Sequence, residues 1–505
     1  MDNITMNNNV PIILSSPKAL QFDQDCACPV QIRTALNNAV ILDSSKELKI
    51  NSTIYREHIA PDFELFFNQF EPDGIYVLNY QAISLMERFA IPQSFSSVIA
   101  GVYSEKSVEQ DVVSKMVDAK LLIAVNKQVD DLINSGAGFS KDVLETWFHL
   151  TNECNLRCDY CFVGKTQDVM STDVVLESVD AVFRSAVQNN FKEVKLKYAG
   201  GEPLLNMKGL KLAHNYATEL SARTGIMLQE VVLTNGTVLT ADKARYLKEH
   251  KIRIMVSLDG MGEDHDIQRH YKNHKGSFDL VEKSISILLQ MGYPPNISIT
   301  ITDRSCAGLA NLVKWLLERK LHFTFNFYRE SDFSANMKGL MYKDSEIIDS
   351  LNKAFDEISK NPPSYNLLGM LSDRARLDLF HSHTCGVGDS YMVISHKGEI
   401  SKCHMHMDKP LGTIKDQDPL NLLRSDRLGL QNLPVDQKKE CNTCDWRNVC
   451  TGGCPALTYR VTGRYDIKSP NCNIYKSIFP KILKLEAERL IRIQDIELQF
   501  PIGMV

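Results

Sequence analysis

Three cysteines at CxxxCxxC spacing, Cys154, Cys158 and Cys161, follow the apolar run Trp147-Phe148-His149-Leu150, which reads as a buried strand. A loop this short at a strand end can gather three thiolates around one corner of a cubic iron–sulfur cluster. Four irons need four ligands and the loop supplies three, which leaves one iron for a ligand that is not protein. Zinc wants a fourth protein ligand in tetrahedral geometry, and the neighbouring sequence offers no obvious one. A disulfide framework fits poorly in a long chain without a secretion signal. On spacing alone the cluster leads, with zinc still open.

The chain has 505 residues, room for roughly three domains and a sizeable core. A net charge of −5, with no basic stripe interleaved with aromatics, argues against a nucleic-acid partner. Residues Met1 to Leu20 lack a basic n-region and their longest apolar run is Val10 to Leu14. That is neither a signal peptide nor a membrane span. Thirteen cysteines then imply a reducing compartment and metal, so a cytoplasmic location and no membrane partner are expected. Cys26, Cys28 and Cys306 fall outside any motif and are read as packed or incidental thiols.

Residues 1–37 are polar and aperiodic and are expected to be irregular. In 38–127, Val40 to Leu42 and Leu48 to Ile50 read as short strands. Glu64 to Phe67 and Ile75 to Leu78 flank Pro72-Asp73-Gly74, a hairpin signal. Three helical patterns follow, carried by Ala82, Leu85, Met86 and Phe89, then Phe95, Val98 and Ile99, then Val108, Val112, Val113 and Met116. With a closing strand over Leu121 to Val125 they predict a winged helix-turn-helix. The third helix carries Glu105, Glu109, Asp111 and Asp118 against Lys106, Lys115 and Lys120, a poor balance for phosphate contact. Residues 128–142, with Ser135-Gly136-Ala137-Gly138, read as a linker.

From Val143 strands and helices alternate, with strands expected at Thr146–Leu150, Val194–Tyr198, Val231–Thr234, Ile252–Ser257, Ile297–Ile301 and Phe323–Phe327. Six such units imply an α/β fold with a parallel sheet, whose ligands gather at the carboxyl ends of the strands. Chemistry-bearing residues stand at those ends: Gly200-Gly201-Glu202-Pro203 after the second, Asn235-Gly236 after the third, and Ser257, Asp259, His265 and Arg269 at and after the fourth. Glycines allow close backbone approach, and an Arg fork suits a carboxylate. An Arg269–Asp266 pair on a helix face is the bland alternative, and His265 reads as a surface or supporting group.

Taken together, CxxxCxxC with Tyr160 and Phe162 around the third cysteine, GGEP, and the ribose-side residues resemble the radical S-adenosylmethionine (radical SAM) superfamily. The resemblance covers Val143 to about Tyr328. It implies a partial (β/α)6 TIM barrel over 143–330, with a [4Fe–4S] cluster on Cys154, Cys158 and Cys161. SAM would lie against Tyr160, Phe162, Gly200, Gly201, Glu202, Pro203, Asn235, Ser257, Asp259 and Arg269. In that superfamily SAM chelates the open iron and is cleaved by one electron to a 5′-deoxyadenosyl radical, so an electron donor such as flavodoxin or ferredoxin is implied.

The remaining cysteines are Cys385, Cys403, Cys441, Cys444, Cys450, Cys454 and Cys472. Close pairs are compatible with a zinc ribbon. Beyond a radical SAM core they resemble the SPASM domain, here over 385–480 and joined to the core by 331–384. The resemblance implies two auxiliary [4Fe–4S] clusters, making three in all. Cys441, Cys444, Cys450 and Cys472 would hold the outer one, and Cys385, Cys403 and Cys454 the inner one. The inner cluster then lacks an eighth thiol, and His381, His383, Cys306, Cys26, Cys28 or a substrate thiolate are the candidates for its place. Residues 481–505, with Leu483, Ala487, Leu490 and Ile491 at helical spacing, read as a packing helix.

The N-terminal module resembles the RiPP recognition element, which binds the leader of a ribosomally made precursor peptide as an added strand. The whole is expected to be a peptide maturase forming an oxidative crosslink, such as a thioether or carbon–carbon bond, with His404 and Tyr198 as the residues to inspect for a catalytic base. A sulfatase-maturing, formylglycine-forming enzyme shares the barrel and the SPASM cysteines. That group typically carries a catalytic Asp immediately after the cysteine matching Cys403, where this chain has His404. A catalytically silent Fe–S protein is the remaining alternative.

Overall fold

The computed structural model describes residues 10–15, 45–69, 74–99, 106–126 and 142–499. The expected strand Val40–Leu42, the tip Pro72-Asp73, Glu105, the linker glycines and Cys26 and Cys28 lie outside the described residues.

At the N-terminal end, β1 (Ile13–Ser15), β3 (Tyr55–Ala60), β4 (Phe63–Phe67) and β5 (Ile75–Asn79) form an antiparallel sheet in the order β1-β5-β4-β3. The hairpin between β4 and β5 is in register from Phe63 opposite Asn79 to Phe67 opposite Ile75. A second sheet joins β2 (Glu47–Ile50), β6 (Gln93–Ser94) and β7 (Leu122–Ala124), with β2 in the middle. Helices α1 (Tyr80–Glu87), α2 (Phe95–Ile99) and α3 (Lys106–Asp118) run in the expected order. Leu85, Met86, Phe89, Phe95, Val113 and Met116 close one apolar core beneath them. β1 and β3 lie where the sequence shows no clear alternation; the sheet they join makes them strands.

The large sheet is the scaffold of the site. β8 (Val143–Thr151), β9 (Glu193–Gly200), β10 (Met227–Thr234), β11 (Arg253–Ser257), β12 (Asn296–Ile301) and β13 (Phe323–Phe327) pair parallel in chain order. The helices between them are α4 (Thr172–Gln188), α5 (Met207–Thr224), α6 (Ala241–Glu249), α7 (Phe278–Gln290) and α8 (Leu309–Glu318). Ser171, Asn206 and Thr240 start three of them by accepting a backbone N–H on their side chains, the usual satisfaction of orphan donors at a helix start. The result is an α/β fold with a partial, barrel-like parallel sheet.

The sheet continues beyond its first parallel strand, β8. β14 (Tyr391–Ile394) adds parallel to β8, with Tyr391 opposite Glu145 and Val393 opposite Trp147. β15 (Glu399–Ser401) and β16 (Gly412–Thr413) follow it antiparallel. The C-terminal extension is thereby laid against the first barrel strand, which brings Cys385 and Cys403 beside the barrel mouth. Helix α9 (Asp344–Lys360) and the long α10 (Cys472–Gln499) complete the chain. Leu483, Ala487, Leu490 and Ile491 of α10 are buried in the main core, as their spacing predicts. No helix among the described residues is long and apolar enough to cross a membrane.

Candidate active site

Side-chain alternation along β8 and β9 decides what faces the barrel interior. Trp147 and Ala199 belong to the interior cluster near Cys385 and Cys403, whereas Phe148 and Tyr198 pack outward among the helices. Tyr198 is therefore turned away from the barrel mouth. Its hydroxyl donates to Glu230 Oε1 at 2.5 Å, and Glu230 Oε2 meets His214 Nδ1 at 2.7 Å. Inside, Lys197 Nζ pairs with Glu145 Oε2 at 2.9 Å, both buried.

The three-cysteine loop leaves β8 and is fastened on two sides. Arg157 N donates to His270 O at 2.7 Å and Asp159 N to Gln268 O at 3.0 Å, which ties it to the segment after β11. Asn155 donates to Thr237 Oγ1 at 2.7 Å and accepts from Asn235 Nδ2 at 3.0 Å, which ties it to the end of β10. Asn235 Nδ2 also points at Cys154 Sγ, 3.8 Å away. Burial pushes the Cys158 thiol up to about 12 because a lone thiolate there would be poorly solvated.

The GGEP segment serves the loop directly. A Cβ on Gly200 would stand 2.4 Å from Thr151 O, and one on Gly201 would stand 2.2 Å from Glu153 O. Only glycine lets β9 cross the root of the cysteine loop so closely, and Gly201 N donates to Thr151 O at 2.7 Å. Glu202 is fully buried and spent internally. It accepts from Leu204 N at 3.0 Å, Thr234 Oγ1 at 2.7 Å and Asn235 N at 2.7 Å, so it locks the ends of β9 and β10 together. Pro203, also buried, opens the short turn that follows.

Asp259 and Arg269 meet around Tyr160, not in an Arg269–Asp266 pair. The Tyr160 hydroxyl donates to Asp259 Oδ2 at 2.6 Å and accepts from Arg269 Nη1. Asp259 also accepts from Gln268 Nε2 at 2.9 Å and Thr300 N at 2.8 Å. Asp266 instead caps the start of α7 by accepting from Ser277 N and Phe278 N. His265 is buried, not on the surface; its Nδ1 accepts from Asp259 N at 3.2 Å, and its Nε2 meets Ser277 Oγ at 3.0 Å. Ser257 ends β11 half-buried opposite Ser298.

The seven C-terminal cysteines separate into two groups in space. Cys441, Cys444, Cys450 and Cys472 line one cavity of about 80 Å³ together with Trp446, Tyr475 and Phe479. Burial raises Cys450 to about 12 and Cys441 to about 11. Cys385, Cys403 and Cys454 line another cavity, of about 140 Å³, whose opposite wall carries Tyr160 and Phe162 of the three-cysteine loop. Ser298, Thr300, Asn326, Arg329 and Arg374 complete that wall from the ends of β12 and β13 and the chain beyond. No motif announces these polar residues; only their place on and beyond the fifth and sixth strands could have flagged them.

His404 also lines this cavity. Its ring stacks on Trp147 at 4.7 Å and its Nδ1 lies 3.1 Å from Tyr391 Oη. Burial holds its pKa well below the usual histidine range, so the ring is neutral. A wider cleft of about 510 Å³ shares Arg329, Met405, Leu430 and Ala456 with the cavity and opens past Asp332, Lys409 and Arg460.

Of the candidates for an eighth cluster ligand, three do not line the cavity. Both ring nitrogens of His381 face backbone carbonyls, His383 O at 2.8 Å and Val449 O at 3.0 Å. Cys306 is buried with its Sγ 3.2 Å from Asp303 O, behind β12 and not on the cavity. His383 does not line the cavity either, and its Nδ1 lies 2.9 Å from Ser382 Oγ.

The residues present suit cubic clusters and SAM. A single zinc would need its ligands drawn in around one small ion. The thiols instead surround cavities. Deprotonating several buried thiols together requires a cation to compensate them. Arg269 Nε is buried without an acceptor, a donor available to the carboxylate of a bound amino acid. Burial opposes the charge of Lys165, but Cys161 and Cys154, when ionised, raise its pKa.

Comparison with known proteins agrees. The sequence model of the Radical SAM superfamily matches residues 148–303. An uncharacterized protein of Methanocaldococcus jannaschii is 31% identical over 169 residues, which span 33% of this chain and 56% of that protein. A cysteine-type anaerobic sulfatase-maturating enzyme of Clostridium novyi is 24% identical over 327 residues, 60% of this chain and 85% of that enzyme. A solved structure described as native anSMEcpe with bound AdoMet and Cp18Cys peptide shares the fold. Its TM-score is 0.56 at 20% identity, covering 70% of this chain and 99% of that one. Residues 148–303 match the radical SAM domain, and the protein is an enzyme.

Proposed function

We propose that this enzyme oxidises a side chain of a peptide by radical SAM chemistry, in the manner of the anaerobic sulfatase-maturating enzymes it resembles. The observation that carries the reading is the cavity of about 140 Å³ between Tyr160 and Phe162 on one side and Cys385, Cys403 and Cys454 on the other. One peptide side chain fits there, reached through the cleft of about 510 Å³. When bound, SAM and the cluster on Cys154, Cys158 and Cys161 would supply a 5′-deoxyadenosyl radical at this wall.

The chain's own part is positioning. Arg269 and Ser257 hold SAM, with Asn235 beside it, while Tyr160 and Asp259 fix Arg269. Gly200, Gly201, Glu202 and Pro203 act through the loop they brace. Cys441, Cys444, Cys450 and Cys472 hold the outer auxiliary cluster, and Cys385, Cys403 and Cys454 the inner one. With three cysteines on the cavity, the inner cluster would need one further ligand, which water or a substrate thiolate would supply. Of the two residues proposed as a base, His404 borders the cavity and Tyr198 does not, so we assign the proton to His404. Loss of a hydrogen atom, of a proton to His404 and of one electron, for which the inner cluster would be the acceptor, is a two-electron oxidation that takes a serine side chain to an aldehyde. A cysteine side chain goes to the thioaldehyde, which water converts to the aldehyde with release of hydrogen sulfide.

A second reading, crosslinking of a ribosomally made precursor by a maturase with a leader-binding module, rests on a specific departure. His404 stands where the sulfatase-maturing group typically carries its catalytic Asp, and that group is not expected to carry an N-terminal module of strands and three helices. One assay separates the two. Anaerobically reconstituted enzyme, SAM and a strong reductant are incubated with peptides bearing a central Cys or Ser, and aldehyde is captured with a hydrazide probe. Aldehyde with stoichiometric 5′-deoxyadenosine supports the first reading. Loss of two hydrogens from a precursor peptide without an aldehyde moves the assignment to crosslinking. No 5′-deoxyadenosine with any peptide sinks both.

A further inference from the structure

Two buried lysines of this protein each face a carboxylate: Lys197 Nζ lies 2.9 Å from Glu145 Oε2, and Lys402 Nζ lies 2.8 Å from Asp426 Oδ2. Lys438 is built differently. It is 2% exposed, and no carboxylate among the described residues pairs with it. Its Nζ donates to Thr451 O at 2.7 Å, a neutral acceptor. An ammonium group taken out of water needs a countercharge close by.

The place of Lys438 points to that countercharge. Cys450-Thr451-Gly452-Gly453-Cys454 runs from the outer thiol group to the inner one. Thr451, Gly452 and Gly453 all take left-handed backbone angles, with φ of 52°, 79° and 67°. Thr451 O, on this crossing, accepts from Lys438 Nζ and also from Thr384 Oγ1 at 3.2 Å. Thr384 lines the cavity of Cys385, Cys403 and Cys454, and Gly452 lines the cavity of Cys441, Cys444, Cys450 and Cys472. A Cβ on Gly452 would stand 3.2 Å from Lys438 Nζ and 3.4 Å from Cys441 Sγ, so ammonium and thiol crowd the same point. The backbone repeats the tie, because Lys438 O accepts from Cys441 N and Asn442 N, each at 3.1 Å. Burial pulls the lysine pKa down, and the thiols of Cys441, Cys450, Cys385 and Cys454, when ionised, push it up.

We propose that Lys438 is a cation shared by the two auxiliary clusters, a positioning residue whose charge raises the reduction potentials of both. The inference rests on the cluster assignment made above and not on which peptide is oxidised. A [4Fe–4S] core held by thiolates is already anionic, and reduction adds one electron. A fixed positive charge in a low-dielectric interior favours the more negative, reduced state. Lys438 thereby keeps both clusters able to accept the electron that leaves the substrate, and no proton moves with it.

The test is a potentiometric titration of the full-length, anaerobically reconstituted protein, followed by electron paramagnetic resonance without SAM or peptide. The signal missing from Cys158→Ala protein identifies the cluster on the three-cysteine loop. Lys438→Gln removes the charge and keeps an N–H donor for Thr451 O, whereas Lys438→Arg keeps the charge. In the Gln variant both auxiliary clusters are expected to become at least tenfold harder to reduce, about 59 mV lower for a one-electron couple. The three-cysteine cluster is expected not to move, and the Arg variant to stay with the parent. Unchanged auxiliary potentials in the Gln variant, a shift confined to one auxiliary cluster, or an equal shift in the Arg variant overturns the proposal. If the Gln variant takes up no auxiliary iron and the Arg variant does, the charge is required and the proposal stands. If neither takes it up, Lys438 serves by shape alone and the proposal falls. A parent protein that shows only the three-cysteine cluster rejects the cluster assignment itself, an outcome distinct from auxiliary signals that the Gln substitution leaves in place.

Discussion

The two thiol systems of this protein are built in opposite ways. The first set lies within eight consecutive residues, Cys154 to Cys161, on one loop fastened to neighbouring strand ends by backbone hydrogen bonds. The auxiliary sets draw on residues from Cys385 to Cys472 and exist only because β14 docks on β8 and α10 returns Cys472 to the others. A local loop needs little from the rest of the fold beyond strand ends at the right places. A dispersed set needs the whole extension folded first.

The largest effect should come from breaking each set once. Cys158→Ala is expected to abolish 5′-deoxyadenosine formation to background while the auxiliary clusters remain visible by electron paramagnetic resonance. Cys450→Ala should do the reverse, sparing SAM cleavage while the iron content falls and modified peptide disappears. If Cys450→Ala also stopped SAM cleavage, the two systems would not be separable as described.

Next in size is the brace between Tyr160, Asp259 and Arg269. A lysine cannot reproduce the fork that meets the Tyr160 hydroxyl while leaving Nε for a carboxylate. Arg269→Lys should weaken SAM binding roughly 10–100-fold, as loss of supporting partners commonly does at such sites. Isothermal titration with SAM on the reconstituted enzyme measures it, and unchanged affinity would remove Arg269 from the site.

A smaller effect is expected where the dispersed set meets the N-terminal sheet. Trp446→Ala deletes the ring that contacts Tyr55, Phe67 and Phe479. The ring is only partly buried, so the loss should be about 2 kcal/mol, read from denaturant unfolding of the loaded protein.

Smallest is a pH signature that distinguishes empty from loaded thiols. Burial raises Cys158 and Cys450 to about 12 and Cys441 to about 11, against an ordinary value of 9.0. The folded apo chain keeps protons that the unfolded chain releases above pH 9, so its stability should fall as pH rises past that point. Thiolates already bound to iron have no such proton to keep, so the loaded protein should show a flatter profile. Thermal unfolding of both forms between pH 8 and pH 10 decides it; parallel profiles would mean the thiols are not buried as described.

Much of the setting of the three-cysteine loop was legible in advance because strand, loop and motif are contiguous, and the six strands fall where the apolar runs place them. The roles of individual residues were not. Glu202 looked like a ligand group but is consumed by Thr234 and Asn235, a partnership between residues 32 and 33 positions apart. Tyr198 failed as a cavity residue by one step of strand alternation, since Ala199 takes the inward face. β14 is only Tyr-Met-Val-Ile, a run too short to declare its partner; the unpaired edge of β8 supplied it. β1 is shorter still, and only the edge of β5 makes it a strand.

By itself the sequence determined the chemistry this protein can host: three thiols short of a full ligand set, glycines at the second strand end, an Arg and an Asp after the fourth, and seven further thiols. Those are properties of residue type and short spacing, which the chain carries whether folded or not. Tertiary structure alone decided which thiols share a cavity, that His404 borders it, and that the N-terminal strand lies across two cores. These depend on strand register and helix return over tens to hundreds of residues, where burial and hydrogen-bond satisfaction select one pairing among many that the local sequence allows.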